Sequence, residues 1–192
     1  MDVLQAIQSR RSIRRFRPDA LPRESIEAIL DAARLAPSGK NNQPWRFVVV
    51  QNEEREQMSA CLQAGLLAFK EKGIPTGSAE YTFKIMREAP ATVFIFNPRD
   101  TAPWNEQTIP QRVFRIVDTQ SVGAAIENMH LRALELGIGS LWVCDTFSAY
   151  DELCAWLGRD SLLVAAVSLG YPDEAPAARP RLPLRDLVEW RG

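Results

Sequence analysis

Histidine is nearly absent from this chain: His130 is the only one in 192 residues. That count argues against a His-rich zinc site, an H-E-x-x-H protease, and a Ser-His-Asp hydrolase with an imidazole to spare. No metal is expected. Cysteine is scarce as well. Cys61, Cys144 and Cys154 are odd in number and show no CxxC spacing, which suits a reducing compartment and inert thiols, and a cytoplasmic location is expected. No apolar run approaches the roughly 20 residues of a membrane span, and Met1 to Arg11 lacks the apolar block of a secretory leader. Neither membrane nor export is therefore expected. The net charge of −1 gives no overall field for nucleic acid or an anionic surface. Walker A and GxSxG sequences are missing, so phosphoryl transfer of the P-loop type and α/β-hydrolase chemistry lack their residues.

What is present is ordinary globular material. Hydrophobic residues make up 46% of the chain, and 192 residues suit a single domain spanning 1–192 with a conventional core. Elements alternate in type. Residues 2–10 carry Val3, Leu4 and Ile7 at helical spacing. Pro22 and Glu24 open a second helix in which Ile26, Ile29, Leu30 and Ala33 recur at i, i+3, i+4, i+7, and Pro37-Ser38-Gly39 should stop it. The runs 45–51, 91–96, 140–144 and 162–169 are short, apolar and β-branched, and read as buried strands. Helices are expected over 53–72, 79–88 and near 148–157. The longest is expected over 117–137, apolar nearly all round, closed by Gly137 and fully buried.

Residues 97–114 contain Pro103, Trp104 and Pro110 without a clear period, which predicts a long loop, either a lid or a plain mobile excursion. Pro172, Pro176, Pro180 and Pro183 space a tail over 172–192 that is not helical over most of its length. Extended at about 3.1 Å per residue, a dozen residues reach roughly 37 Å, enough to cross onto a second subunit. The wholly apolar helix points the same way, since one small domain has little room to cover it, and a homodimer is expected.

Lysine is also rare. Of 23 basic residues only Lys40, Lys70, Lys72 and Lys84 are lysines, and the arginines cluster. Arg10, Arg11 and Arg14 with Ser12 place three guanidinium forks and a hydroxyl within five residues, a set that matches the oxygens of one phosphate monoester. A solvated basic turn fits the same residues; a nucleic-acid arm fits less well, because aromatic interleaving is limited to Phe16. Arg179, Arg181 and Arg185 form a second group. Pro37-Ser38-Gly39-Lys40-Asn41-Asn42-Gln43-Pro44-Trp45 offers a hydroxyl and amides that both donate and accept, as a heteroaromatic edge requires, with Gly39 permitting a tight turn. A loop satisfying its own backbone is the alternative. Gly137-Ile138-Gly139 precedes a strand and lacks the G-x-G-x-x-G order, so it is no dinucleotide fingerprint.

Taken in order, RRSIRRF, APSGKNNQPW, DTQSVGAAIENMHLRALELGIGSLWVCD and LGYPDEAPAARPRLPL resemble the nitroreductase family of flavoproteins, and the likeness covers nearly the whole chain. The resemblance implies an α+β fold with a central, mostly antiparallel sheet flanked by helices, an intertwined homodimer, and FMN at two sites in the interface. It implies Arg10, Arg11, Ser12 and Arg14 on the phosphate and ribityl chain, with Arg179 and Arg181 of the tail closing on the same phosphate. Pro37, Ser38, Gly39 and Asn41 would meet the flavin from the other subunit. The backbone of Leu141, Trp142, Val143 and Cys144 would lie along the ring near N5, although many relatives have glycine where Cys144 stands. Some relatives also use an Asn and a Lys near 82–85, for which Lys84 is the available substitute. The implied reaction moves hydride from NADH or NADPH through flavin N5 to a small acceptor, a nitroaromatic or a quinone, under a pocket roof that includes Trp104. No side chain need act as acid or base. The alternatives are a flavin-sequestering module and a same-fold flavoenzyme with a different reductive or oxidative reaction.

Overall fold

The computed structural model describes all 192 residues, Met1–Gly192. The four apolar runs become β1 (Arg46–Gln51), β2 (Ala91–Asn97), β3 (Gly139–Val143) and β4 (Leu162–Gly170). They form one sheet in the order β1-β2-β4-β3, antiparallel throughout. Strand alternation sends successive side chains to opposite faces, so β2 and β4 are apolar on both. Val93, Ile95, Val167 and Leu169 pack against α2 (Arg23–Arg34) and α5 (Ile109–Glu135). Phe94, Phe96, Leu163 and Ala166 pack with residues of α3 (Glu54–Glu71), α4 (Ala79–Glu88) and α6 (Tyr150–Trp156). The fold is α+β, a sheet between two helical layers. A short α1 (Val3–Ser9) leans on α5 and leaves Val3, Leu4 and Ile7 exposed.

The long helix departs from expectation at its start. It begins at Ile109, eight residues before 117, because Thr108 and Gln111 form a reciprocal capping box and Pro110 sits in the first turn, where its missing N–H costs nothing. The loop is shortened accordingly and is tied down. Asp100 accepts from Gln107 Nε2 at 2.6 Å and pairs with Arg115, whose guanidinium also donates to the carbonyls of Pro103 and Thr101. Nor is the helix buried along its length: Val122, Ala125, Ile126 and Met129 are in the core, whereas Ile109 is 78% and Ile116 59% exposed. At the other end Gly137 takes φ +70°, and Gly137 N–H and Ile138 N–H close on Leu134 O and Ala133 O at 3.0 and 2.8 Å.

β3 lies at the edge of the sheet, and the basic segment covers part of that edge. Ser12 bridges Ser140 in parallel and Phe16 bridges Pro172 in antiparallel sense. Ile13 N–H donates to Ser140 O at 3.0 Å, Arg17 N–H to Tyr171 O at 2.8 Å, and Asp173 N–H to Arg15 O at 2.9 Å. Such close backbone approach needs small residues in the register pair Gly139 and Gly170. A Cβ at Gly170 would stand 2.6 Å from the Pro90 ring and 2.9 Å from Phe16. Gly170→Ala is therefore expected to cost about 1–3 kcal/mol, the usual penalty of overpacking, read as a lowered urea midpoint; an unchanged midpoint contradicts this packing.

Candidate functional site

The end of α1, the start of β3 and the first residues of the tail enclose a cleft of about 340 Å³. Ser9, Arg10, Arg11, Ser140 and Glu174 are among its polar wall residues. Arg10 is half-buried, with Nε 3.4 Å from Glu127 Oε1 of α5. Arg11 turns its guanidinium onto Gln8 O and Arg10 O at 2.7 and 2.8 Å. Two guanidinium groups and two hydroxyl-bearing side chains at one cleft fit a phosphate monoester. Ser12 and Arg14 belong to the same segment but do not line the cleft. Arg14 donates from its side chain to Ser12 O at 3.3 Å, while the backbone N–H groups of Arg14 and Arg15 both donate to the carboxylate of Glu174. The tail is thereby fastened to the basic segment before it leaves the surface.

Beyond that fastening the tail has no cover. From Ala177 to Gly192 every residue is exposed, and Trp190 is 89% so. Arg179 and Arg181 are on this stretch. Neither lines the cleft, and Arg181 donates only to Arg179 O and Pro180 O of the tail itself.

The second sequence constellation lies elsewhere on α5. Residues Gly39–Asn41 make a 3₁₀ turn whose Gly39 N–H donates to Ser121 Oγ at 3.3 Å, and Ser38 Oγ accepts from Gln43 N–H at 3.0 Å. The conformational freedom is not at Gly39. Lys40, Asn41 and Gln43 take φ of 53°, 54° and 48°, a left-handed run that costs about 1–3 kcal/mol per residue and that clusters at functional sites. Gly39 is required for a different reason, since a Cβ there would stand 2.5 Å from Val117 Cγ1. Pro37 and Asn41 are exposed beside it. From Ser121 to His130, at the level of the arginine cleft, α5 rises roughly 14 Å and turns about half a revolution. Within one chain the two constellations face different ways.

On β3 the side chains of Leu141 and Val143 are buried in the core facing α3, α4 and α6. Their side chains are unavailable to a ligand, while that of Trp142 points to the opposite face, partly exposed, with its ring 6.0 Å from that of His130. The Ser140 carbonyl points away from β4 to Ile13, and by the alternation of an antiparallel ladder Trp142 presents its backbone to the same free edge. Cys144 lies just past the strand and is exposed; partial desolvation, followed by the charge of Asp145, shifts its thiol upward, toward the neutral form. Asp145 accepts from Ser78 Oγ and Thr82 Oγ1 at 2.9 and 2.5 Å, which pins α4 against this corner. Lys84 sits 3.8 Å from Glu88 on the exposed side of α4. Trp104 lines a different cleft, of about 220 Å³, with Phe147, Tyr150 and Lys72. Its ring stands edge-on to Tyr150 at 4.7 Å, and the two clefts share no wall residue.

Sequence reasoning missed His130. It is buried, with Nδ1 2.7 Å from Ser140 Oγ. Burial, and then the Arg10 guanidinium, lower it from 6.5 to about 4. A signal was available: Val122, Ile126, His130 and Ala133 recur at i, i+4, i+8 and i+11, which puts the imidazole on the helix's apolar face.

Comparison with known proteins settles the family. The model described as "Nitroreductase family" matches residues 7–171. The chain belongs to the nitroreductase family. It is 31% identical over 185 residues to YfhC of Bacillus subtilis (strain 168), whose name places it among NAD(P)H nitroreductases, covering 94% of this chain and 89% of that one. It is 30% identical over 184 residues to 5,6-dimethylbenzimidazole synthase of Rhodospirillum rubrum, covering 90% and 83%. A nitroreductase structure from Desulfovibrio desulfuricans, solved in complex with FMN, superposes with a TM-score of 0.77 at 30% identity, covering 100% and 98%. This nitroreductase-family chain is accordingly an oxidoreductase. No helix in it is long and apolar enough to cross a membrane.

The buried His130 gives a stability prediction. A neutral ring with a lowered folded-state pKa contributes stability that is present above about pH 6.5 and lost as pH falls through about 4. Urea midpoints of the wild type should fall across that window more steeply than those of His130→Asn; parallel profiles contradict the assignment.

Proposed function

We propose that this chain is an FMN-dependent oxidoreductase working as a homodimer, with the phosphate end of the flavin in the Arg10–Arg11–Ser140 cleft. The observation that carries the reading is that cleft, in a chain 30% identical to a protein solved with FMN. Bound FMN supplies the redox chemistry, oxidising NADH or NADPH and then reducing a small acceptor such as a nitroaromatic or a quinone at the same ring.

The chain's own residues bind and orient. Arg10 and Arg11 supply positive charge to the phosphate and Ser140 a hydroxyl group, while Ser12 and Arg14, which do not line the cleft, hold the segment in place through their backbone contacts to Ser140 and Glu174. On the free edge of β3 the backbone N–H and C=O of Trp142, and the backbone of Cys144 just past the strand, face the ring, whereas Leu141 and Val143 spend their backbone groups on β4 and only set the position of this edge. Cys144 carries a side chain where many relatives have glycine, and it narrows the approach to that edge. Trp104, beside Tyr150 and Phe147, lines the acceptor pocket. No proton has to be held by a side chain, which suits a chain whose one histidine is buried and neutral.

The second subunit completes the site. Pro37, Ser38, Gly39 and Asn41 are turned away from the arginine cleft of their own chain and reach the flavin of the partner. The exposed apolar residues of α1, of the first turns of α5 and of the tail (Leu4, Ile7, Val113, Phe114, Leu187, Trp190) are the surface the partner covers. The tail expected over 172–192 keeps its first residues, 172–176, on its own chain; its uncovered remainder, 177–192, lies on the other subunit and brings Arg179 and Arg181 to the phosphate. Three unpaired cysteines favour the cytoplasm. A second reading, a different flavin reaction on the same fold, draws support from the identity to 5,6-dimethylbenzimidazole synthase.

Arg10→Ala combined with Arg181→Ala is expected to yield folded protein without flavin colour; a double variant that purifies with wild-type flavin content refutes the arginine assignment. Light scattering of the FMN-loaded protein should give twice the 21.6 kDa chain mass, and a monomer mass would contradict the two-subunit site.

A further inference from the structure

His130 and Ser140 form a pair that core packing does not require. Each is 3% exposed, and a buried polar pair costs desolvation that leucine and alanine at the same places would not. Nδ1 of His130 lies 2.7 Å from Ser140 Oγ, and this is the ring's one side-chain hydrogen bond. Ser140 in turn does two further things. It lines the arginine cleft, and its carbonyl receives Ile13 N–H at 3.0 Å, the bond that lays the basic segment on the edge of β3. One turn earlier on α5, Glu127 reaches Arg10 Nε at 3.4 Å. The helix therefore grips the cleft wall at two points, a guanidinium and a hydroxyl.

We propose that His130 is a positioning residue for the phosphate-bearing end of the flavin. Acting through Ser140, it fixes the start of β3 and the Ile13 anchor, and with Nδ1–H donating to Oγ it turns the Ser140 O–H toward the cleft, as an anion requires. The proposal rests on the reading that this cleft takes FMN.

The test is titration of flavin-free protein with FMN and with riboflavin, followed by quenching of flavin fluorescence, with the thermal midpoint of each variant measured alongside. His130→Leu and Ser140→Ala should each weaken FMN binding about tenfold, the size of one hydrogen bond. The double variant should be no weaker than either alone, because the two residues act as one unit. His130→Asn, whose side-chain amide reaches the place of Nδ1, should bind FMN within about twofold of wild type. Riboflavin, which lacks the phosphate, should lose much less than FMN in every variant. A merely structural role lowers the thermal midpoint and leaves FMN affinity unchanged; that result overturns the proposal, as do additive losses or equal losses for FMN and riboflavin. Should His130→Leu fail to fold, Ser140→Ala carries the same comparison. Wild-type protein that takes up no FMN overturns the flavin reading beneath it, a result distinct from a variant that binds as well as wild type.

Discussion

Ile13 gives its backbone N–H to the carbonyl of Ser140 at 3.0 Å, and the placement of the whole basic segment turns on that bond and its continuation at Arg17 and Asp173. An edge strand presents unpaired backbone groups that something must satisfy. Here the first residues after α1 do so, and in doing so they carry Arg10 and Arg11 to the mouth of a cleft instead of into solvent. The pairing is possible because Gly139 and Gly170 present no Cβ to Ile13, Phe16 and Pro90. It is reinforced where Glu174 takes the N–H groups of Arg14 and Arg15.

The same geometry underlies the proposal that two chains share each site. α5 carries the arginine cleft near its C-terminal end and the Ser38–Gln43 loop further back on another side. It also leaves its first turns apolar and exposed, and the tail runs off with leucines and a tryptophan uncovered. A second copy that covers these surfaces and brings the strained loop to the first copy's cleft accounts for all three features at once.

Much of this was legible in the residues. Apolar β-branched runs gave all four strands to within a residue or two: β2 and β4 are buried on both faces and need no alternation to be recognised, whereas β1 and β3, expected to be buried as well, are the sheet's edges and leave Val49 and Trp142 partly exposed. The start of α5 was not found, since Pro110 reads as a breaker unless the Thr108-x-x-Gln111 capping box is noticed first. Gly39 was correctly singled out for the wrong reason: the left-handed backbone belongs to Lys40, Asn41 and Gln43, and the glycine makes room for Val117. The His130–Ser140 bond was invisible because it joins a helix to a strand across a turn, and neither residue type announces the other. Motif order pointed to the family as a whole, whereas composition and spacing alone left the arginine cluster open to a plain solvated turn.

The central claim is that these residues hold a flavin that a nicotinamide reduces. Its most direct test is the visible spectrum of the purified protein under anaerobic conditions, recorded before and after addition of NADH and then of NADPH. The account predicts an oxidised flavin band that bleaches with one of the two donors. Protein that shows no flavin band even after reconstitution with FMN, or a band that neither donor bleaches, would contradict it.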